Sequence, residues 1–126
     1  MENYQKIIIV ESATNSRNKM IFWQSDNNSY WKLEFLKDGH LSIFSKIKKL
    51  LQHKMYITLT HEQILNMLVA LLPLAQNVAH HHNSYKIKNL EISRQLSYVV
   101  FFFRKKELYL NQNQFDELVS TLTNLV

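Results

Sequence analysis

Two stretches of the sequence have the pattern of a short strand that leads directly into a capped amphipathic helix. They are MYITLTHEQILNMLVALL (residues 55–72) and KELYLNQNQFDELVSTLTNLV (residues 106–126). In each, alternating apolar residues precede an N-cap residue, Thr60 or Asn111, and a glutamine follows three positions later, as in a capping box. Apolar residues then recur at helical spacing. The two stretches indicate a strand-and-helix unit that occurs twice.

The two stretches align without a gap when Thr60 is set against Asn111. The aligned pairs agree in kind and are Ile57 with Leu108, Leu59 with Leu110, Gln63 with Gln114, Ile64 with Phe115, Met67 with Leu118, Leu68 with Val119, and Leu71 with Leu122. Capping and core packing impose this pattern on any strand that enters an amphipathic helix, so duplication and shared physics both explain it. The repeated order of elements holds under either explanation.

Further strand candidates precede each helix. They are residues 7–10, 20–23, 30–36, 41–44 and 56–59 in the first half, and residues 85–92, 97–103 and 108–110 in the second half. Gly39, the only glycine, is expected in a hairpin turn between the candidates at 30–36 and 41–44. Residues 45–54 carry four lysines and fit a strand end, a short helix or a loop. The pattern does not decide among these three.

Each predicted helix has one apolar stripe with which it can pack on a sheet. The stripes consist of Ile64, Met67, Leu68, Leu71 and Leu72 in the first helix, and of Phe115, Leu118, Val119 and Leu122 in the second. Pro73 is expected to kink or end the first helix, because proline lacks the N–H that the helix needs.

Strands followed by one helix, twice over, predict an α+β fold. We expect two tandem units, each an antiparallel β-sheet plus a helix (ββββα-like), with pseudo-repeats at residues 1–79 and 80–126. The length of 126 residues is that of one compact domain with its own hydrophobic core. A sheet that is covered by a helix on one face has a second face free for another use.

Alternation within two strands predicts which residues lie on that second, outer face. In the strand 30–36, Trp31, Leu33 and Phe35 are expected to face the helix, and Tyr30, Lys32 and Glu34 to face outward. The strand 97–103 is apolar on both sides, so we assign its outer face from the polar ends of the side chains. The expected outward residues there are Tyr98, Val100, Phe102 and Arg104.

The composition excludes several classes of function. The chain contains no cysteine, which rules out disulfides and thiolate metal sites. One glycine in 126 residues rules out the glycine-rich cradles that bind ATP or NAD phosphates. No apolar run is long enough to span a membrane, and the first ten residues do not resemble a signal peptide. We therefore expect a soluble intracellular protein, cytoplasmic or nuclear, without a membrane partner.

The charge balance favours an anionic partner. Fifteen Lys and Arg residues against ten Asp and Glu residues give a net charge of +5 with neutral histidines, and the pI is about 9.5. A basic surface of this kind attracts polyanions but does not require one.

The residues Tyr56–Ile64 and Leu108–Phe115, in which an alternating strand runs through a capping residue into a helix, carry a family resemblance. Together with the tandem order of strands and helix, they resemble the Pur-alpha, Whirly and positive-cofactor coactivator group of single-stranded nucleic-acid-binding folds. The resemblance covers most of the chain in topology and these two stretches in residues. It implies a protein that holds ssDNA or ssRNA on a curved sheet surface, and it makes a homodimer an expectation, because members of this group often dimerise.

Binding a single strand requires cations along the phosphate path and flat rings on which bases stack. The candidate nucleic-acid-binding residues are Tyr30, Lys32, Lys46, Lys48, Lys49, Lys54, Lys86, Lys88, Tyr98, Arg104, Lys105 and Lys106. The alternative for each is a ring packed in the core or a solvated lysine. The choice between DNA and RNA stays open.

The sequence gives little indication of a metal site or a catalytic site. The run His80–His82 suggests a metal, but adjacent loop histidines have no fixed geometry and no carboxylate lies beside them, so we expect a surface loop and no metal. The ten carboxylates are scattered, which predicts neither a catalytic pair nor a cofactor site and therefore no enzyme. The alternative function is a protein interaction module that dimerises through its amphipathic helices.

Overall fold

The computed structural model describes residues 3–37, 55–75 and 84–126, and within these ranges the chain forms eight strands and two helices. The elements are β1 (Tyr4–Glu11), β2 (Asn18–Ser25), β3 (Tyr30–Lys37), β4 (Tyr56–Thr60), α1 (His61–Ala75), β5 (Ser84–Ile87), β6 (Leu90–Gln95), β7 (Tyr98–Phe103), β8 (Lys106–Leu110) and α2 (Gln112–Thr123). Neither helix is long and apolar enough to cross a membrane.

The strands form two antiparallel sheets, each followed by a helix. Sheet 1 has the order β1-β2-β3-β4 and sheet 2 the order β5-β6-β7-β8. The predicted α+β fold of tandem ββββα units is confirmed. On its two sides β3 pairs with β2 and β4. The predicted hairpin turn at Gly39, the strand at 41–44 and the undecided stretch 45–54 lie outside the described residues.

Both helices begin with the predicted capping box. The Thr60 N–H donates to Gln63 Oε1 at 2.9 Å, and the Gln63 N–H donates back to Thr60 Oγ1 at 3.1 Å. In the second unit the Asn111 N–H donates to Gln114 Oε1 at 3.0 Å, and the Gln114 N–H donates to Asn111 Oδ1 at 2.9 Å. Each box satisfies backbone donors that the first helical turn leaves unpaired.

One expectation for α1 is wrong, and one of the two alternatives for Pro73 is excluded. Leu72 is 57% exposed, and Leu74 is buried instead. Because consecutive helical residues are about 100° apart, Leu72 points away from the core that Leu71 enters, whereas Leu74 follows Leu71 by three positions and returns to it. Pro73 does not end the helix, which continues to Ala75. Pro73 lies inside α1, where its missing N–H removes one bond from the hydrogen-bond ladder.

The hairpin turns use residues other than glycine at positive φ. The residues concerned are Asn28, Lys88, Leu96 and Arg104, with φ between 52° and 59°. The turn at Lys88 divides the predicted strand 85–92 into β5 and β6. The turn between β2 and β3 is tied by Ser25, whose buried hydroxyl donates to Asn27 Oδ1 at 2.7 Å and accepts from the Tyr30 N–H at 3.0 Å.

The two units share one hydrophobic core. Within it the rings of Phe35 and Phe103 stack, with centroids 4.6 Å apart and planes 10° from parallel. Each helix also contacts the first strand of the other unit, α1 with β5 and α2 with β1. Neither unit therefore buries its helix within its own sheet alone.

Polar contacts between the units are reciprocal. On β8, the Tyr109 carbonyl accepts from the Ala13 N–H at 2.7 Å, and the Tyr109 N–H donates to Ser12 Oγ at 3.0 Å. On β4, the Thr58 carbonyl accepts from the Lys88 ammonium. Aligning Thr60 with Asn111 makes Thr58 and Tyr109 equivalent. In each unit, then, the last strand borders the turn between the first two strands of the other unit.

The strand registers extend this equivalence across the sheets. Thr58 lies directly opposite Lys32 on β3, and Tyr109 lies opposite Val100 on β7. Lys32 and Val100 are therefore equivalent positions. In the same way, Trp23 lies opposite Lys32, and Ser93 lies opposite Val100. The registers thus allow the outer faces of the two sheets to be compared residue by residue.

Candidate functional site

The outer face of sheet 1 has the alternation that the sequence predicts for β3. Trp31, Leu33 and Phe35 are buried in the shared core, whereas Lys32 and Glu34 are half-buried on the opposite face. Tyr30 lies at the start of the strand and is exposed. The predicted outer-face assignment of this strand is confirmed.

Lys32 is surrounded by aromatic rings from three other strands. Its Nζ lies 4.9 Å from the ring centroid of Tyr4 on β1, 5.3 Å from that of Trp23 on β2, and 5.2 Å from that of Tyr56 on β4. These distances lie within the range of cation–π attraction to the ring faces. Lys32, Tyr4, Trp23 and Tyr56 are referred to below as the Lys32 cluster.

The strand registers bring the members of this cluster together. Trp23 lies directly opposite Lys32, and Tyr56 lies opposite Glu34, which is two residues along β3 on the same face. The indole Nε1 of Trp23 donates to Glu34 Oε1 at 3.2 Å. Because the carboxylate holds the indole edge, the ring keeps a fixed position beside Lys32.

A β-bulge places Tyr4 in the cluster. The pairing of β1 with β2 shifts between Lys6 and Ile8. Beyond the shift, Val10 pairs with the buried Met20 and faces the core. Uninterrupted alternation from Val10 would turn Tyr4 toward the core as well. The extra residue of the bulge reverses the alternation, so Tyr4 and Lys6 lie on the outer face.

The cluster combines a cation with partly accessible rings. All four side chains are half-buried. Among the described residues, no carboxylate forms an ion pair with Lys32. An anionic ligand can therefore approach the ammonium without first displacing a carboxylate, and a flat apolar group can contact the rings.

The outer face of sheet 2 is arranged differently. Tyr98, Val100 and Phe102 lie on it as predicted, because the alternate residues of β7 are in the core. The rings of Tyr98 and Tyr109 meet edge to face at 5.7 Å. The Tyr109 hydroxyl donates to Glu107 Oε2 at 2.9 Å, and this hydrogen bond, with smaller contributions from desolvation and the carboxylate charge, raises the pKa of Tyr109.

The structure does not gather the predicted binding residues on one surface. Tyr30 and Lys32 lie on the outer face of sheet 1, and Lys86 and Tyr98 lie on that of sheet 2. Lys88 lies in a turn and donates to the Thr58 carbonyl, so it joins the two units. Such a bond gives Lys88 a structural role.

The basic turn predicted after the aromatic strand is present between β7 and β8. Arg104 and Lys105 form it, and Lys106 is the first residue of β8. The Arg104 guanidinium lies over the ring of Phe103, 5.4 Å from its centroid. The four candidate lysines Lys46, Lys48, Lys49 and Lys54 lie outside the described residues.

Three members of the Lys32 cluster are absent from the predicted set, namely Tyr4, Trp23 and Tyr56. Tyr56 could have been found, because it alternates with the inward-facing Ile57 and Leu59. Trp23 lies in a predicted strand whose outer face had not been assigned. Tyr4 precedes the predicted start of β1, and the bulge that turns it outward has no signal in the sequence.

Metal binding has no support within the described ranges, where no group of three or more His, Asp or Glu residues could hold an ion. The run His80–His82 lies outside those ranges. Comparison with protein-family models, with curated proteins and with solved structures found no match to this chain.

Proposed function

We propose that this protein binds single-stranded nucleic acid, DNA or RNA, on the outer face of sheet 1 and catalyses no reaction. The observation that carries the proposal is the Lys32 cluster, in which one ammonium lies about 5 Å from three rings of a sheet surface. Single-strand binding needs this combination, since the cation attracts the phosphates and the rings stack with the bases.

The same geometry favours single strands over duplexes. Stacking on a side-chain ring requires a base whose face is free, and duplex bases already stack on their neighbours. The net charge of +5 adds a long-range attraction for any polyanion. Preference for the single strand must therefore come from the rings and not from the charge.

The test is fluorescence anisotropy of a labelled mixed-sequence oligonucleotide, presented as single-stranded DNA, single-stranded RNA and duplex DNA. With two to four phosphates contacted, raising salt from about 50 to about 200 mM should weaken single-strand affinity roughly 7- to 50-fold through counterion release. We expect tighter binding of a single-stranded species than of the duplex. Absence of binding at the lower salt concentration, or equal affinity for the duplex, would overturn the proposal.

A second candidate function, self-assembly of the chain into a homodimer, is favoured by α1. This helix exposes Leu65, Val69 and Leu72, which share one face at spacings of four and three residues. The equivalent residues of α2 are polar and are Asp116, Ser120 and Thr123. An apolar stripe on one helix only, where its counterpart is solvated, marks an interaction surface.

The charge distribution supports a second copy of the chain as the occupant of this surface. Residues 63–75 of α1 contain no charged side chain, whereas the chain as a whole carries +5. Two copies repel each other over most of their surfaces, but this face can meet itself across a two-fold axis without like charges in contact.

Sedimentation velocity of Val69→Lys tests the dimer. We expect a dimer for the unmodified chain at micromolar concentration and a monomer for the variant, because the new ammonium would be buried against its own copy. Ser120→Lys adds the same charge to the equivalent position of α2 and should remain dimeric. A monomeric unmodified chain, or equal effects of both variants, would contradict the proposed interface.

A further inference from the structure

We infer that the two sheets are functionally unequal, so that each chain binds one nucleic-acid strand on sheet 1 and none on sheet 2. The inference rests on the proposed function, which places the ligand on sheet 1. It adds that sheet 2 binds no strand and that each chain therefore binds one. It comes from comparing the outer faces of the two sheets at positions that the strand registers make equivalent.

Three members of the Lys32 cluster have residues of different chemistry at the equivalent positions of sheet 2. Lys32 corresponds to Val100, and Trp23 corresponds to Ser93. Tyr56 corresponds to Glu107, because Tyr56 lies opposite Glu34 on β3 and Glu107 lies opposite the equivalent Phe102 on β7. Sheet 2 therefore has an apolar residue in place of the cation, and a carboxylate and a hydroxyl in place of two rings.

The carboxylates of sheet 2 disfavour a phosphate backbone. Glu107 and Glu91 lie opposite Phe102 on its two sides, so two acidic residues flank the centre of the outer face. Lys86 lies directly opposite Glu91, where the two charges offset each other. A polyanion that approaches this face meets the Glu107 carboxylate at the position where sheet 1 presents the ring of Tyr56.

Two rings of sheet 2 pack on each other and not around a cation. Tyr98 and Tyr109 pack edge to face, and the Tyr109 hydroxyl is bonded to Glu107. Val100 lies opposite Tyr109 and is completely buried although it is on the outer face. These two rings therefore cover an apolar residue, and stacking a base on them would require this packing to open.

The decisive comparison uses two variants that remove the same charge from the two outer faces, Lys32→Gln and Lys86→Gln. Affinity for a labelled single-stranded oligonucleotide is measured by anisotropy at about 50 mM salt. We expect Lys32→Gln to weaken binding at least about tenfold, through loss of a charge-assisted phosphate contact, and Lys86→Gln to change it less than about twofold. Equal losses, or a larger loss for Lys86→Gln, would overturn the inference.

A titration at protein concentrations well above the dissociation constant gives the stoichiometry separately. We expect the anisotropy of a short oligonucleotide to saturate at one strand per chain, and an end point of two strands per chain would refute the inequality of the sheets.

Melting temperatures of both lysine variants must match that of the unmodified chain. The pair Tyr56→Leu and Tyr109→Leu repeats the affinity comparison by removing a ring, and not a charge, from each outer face. An unmodified chain that binds no strand would contradict the proposed function itself, which is a different outcome from equal losses.

Discussion

Replacement of Phe103 by alanine is expected to lower the free energy of unfolding by about 3–5 kcal/mol, the range for a large aromatic side chain removed from a packed core. Phe103 is fully buried, and its ring stacks on Phe35 at 4.6 Å. The stack joins the sheets of the two units, so the cavity would open at the contact on which both depend. Domains of this size have only about 5–15 kcal/mol of stability in all. Urea unfolding followed by circular dichroism measures the loss.

The neighbouring phenylalanine is the matched control. Phe102 is the same residue type as Phe103 and lies beside it on β7, but it is half-buried on the outer face of sheet 2. Phe102→Ala should cost about 1 kcal/mol, the common size of a substitution outside the core. If the two variants unfolded at the same urea concentration, the contact between Phe35 and Phe103 would not be a main source of stability for the shared core.

Replacement of Trp23 by alanine should weaken single-strand binding by about 5- to 150-fold, since one base stacked on an aromatic side chain contributes about 1–3 kcal/mol. Trp23 presents the largest ring of the Lys32 cluster, and Glu34 holds its indole in place. The affinity of a labelled oligonucleotide at low salt gives the effect directly. Trp31, the other tryptophan, is fully buried and cannot contribute a stacking surface.

The Trp23→Phe variant separates stacking from structure. Phenylalanine keeps a flat ring but loses the indole N–H that donates to Glu34. We expect it to retain most of the affinity, within about fivefold of the unmodified chain, because stacking tolerates a change of ring. A phenylalanine variant as weak as the alanine variant would show that the hydrogen bond to Glu34, and not a stacked base, accounts for the loss.

Local physics explains what could be predicted from the sequence. Capping boxes depend on residues three positions apart, and both are present at Thr60 and Asn111. The two faces of β3 follow from alternation over seven residues, and that pattern was confirmed. These features do not depend on distant contacts. The repeated unit and the fold class could therefore be predicted from the sequence.

Features that depend on distant residues could not be predicted from the sequence. The β-bulge after Lys6 exists only in relation to the pairing partner β2, and it decides that Tyr4 faces outward. The turn at Lys88 has no glycine to mark it, and its side chain serves a contact with Thr58 in the other unit. A local sequence pattern contains no information about the partner strand or about the second unit.

The candidate site was predicted in part for the same reason. Lys32 was selected from its strand alone, since a lysine between inward-facing apolar residues must point outward. Its ring partners come from three other strands, and their meeting depends on the registers of sheet 1. Charge alone also led to Lys88, which the tertiary contacts assign to the junction of the units.

The turns without glycine have a consequence for how a ligand would be accommodated. Most residues other than glycine cost about 1–2 kcal/mol at positive φ and asparagine costs less, and in each case the side chain narrows the range of backbone conformations open to the turn. Asn28 takes this role between β2 and β3, the strands that carry Trp23 and Lys32. The restricted turn helps to preorganise the two strands, so a nucleic acid that binds there would itself have to bend and turn its bases to fit the surface.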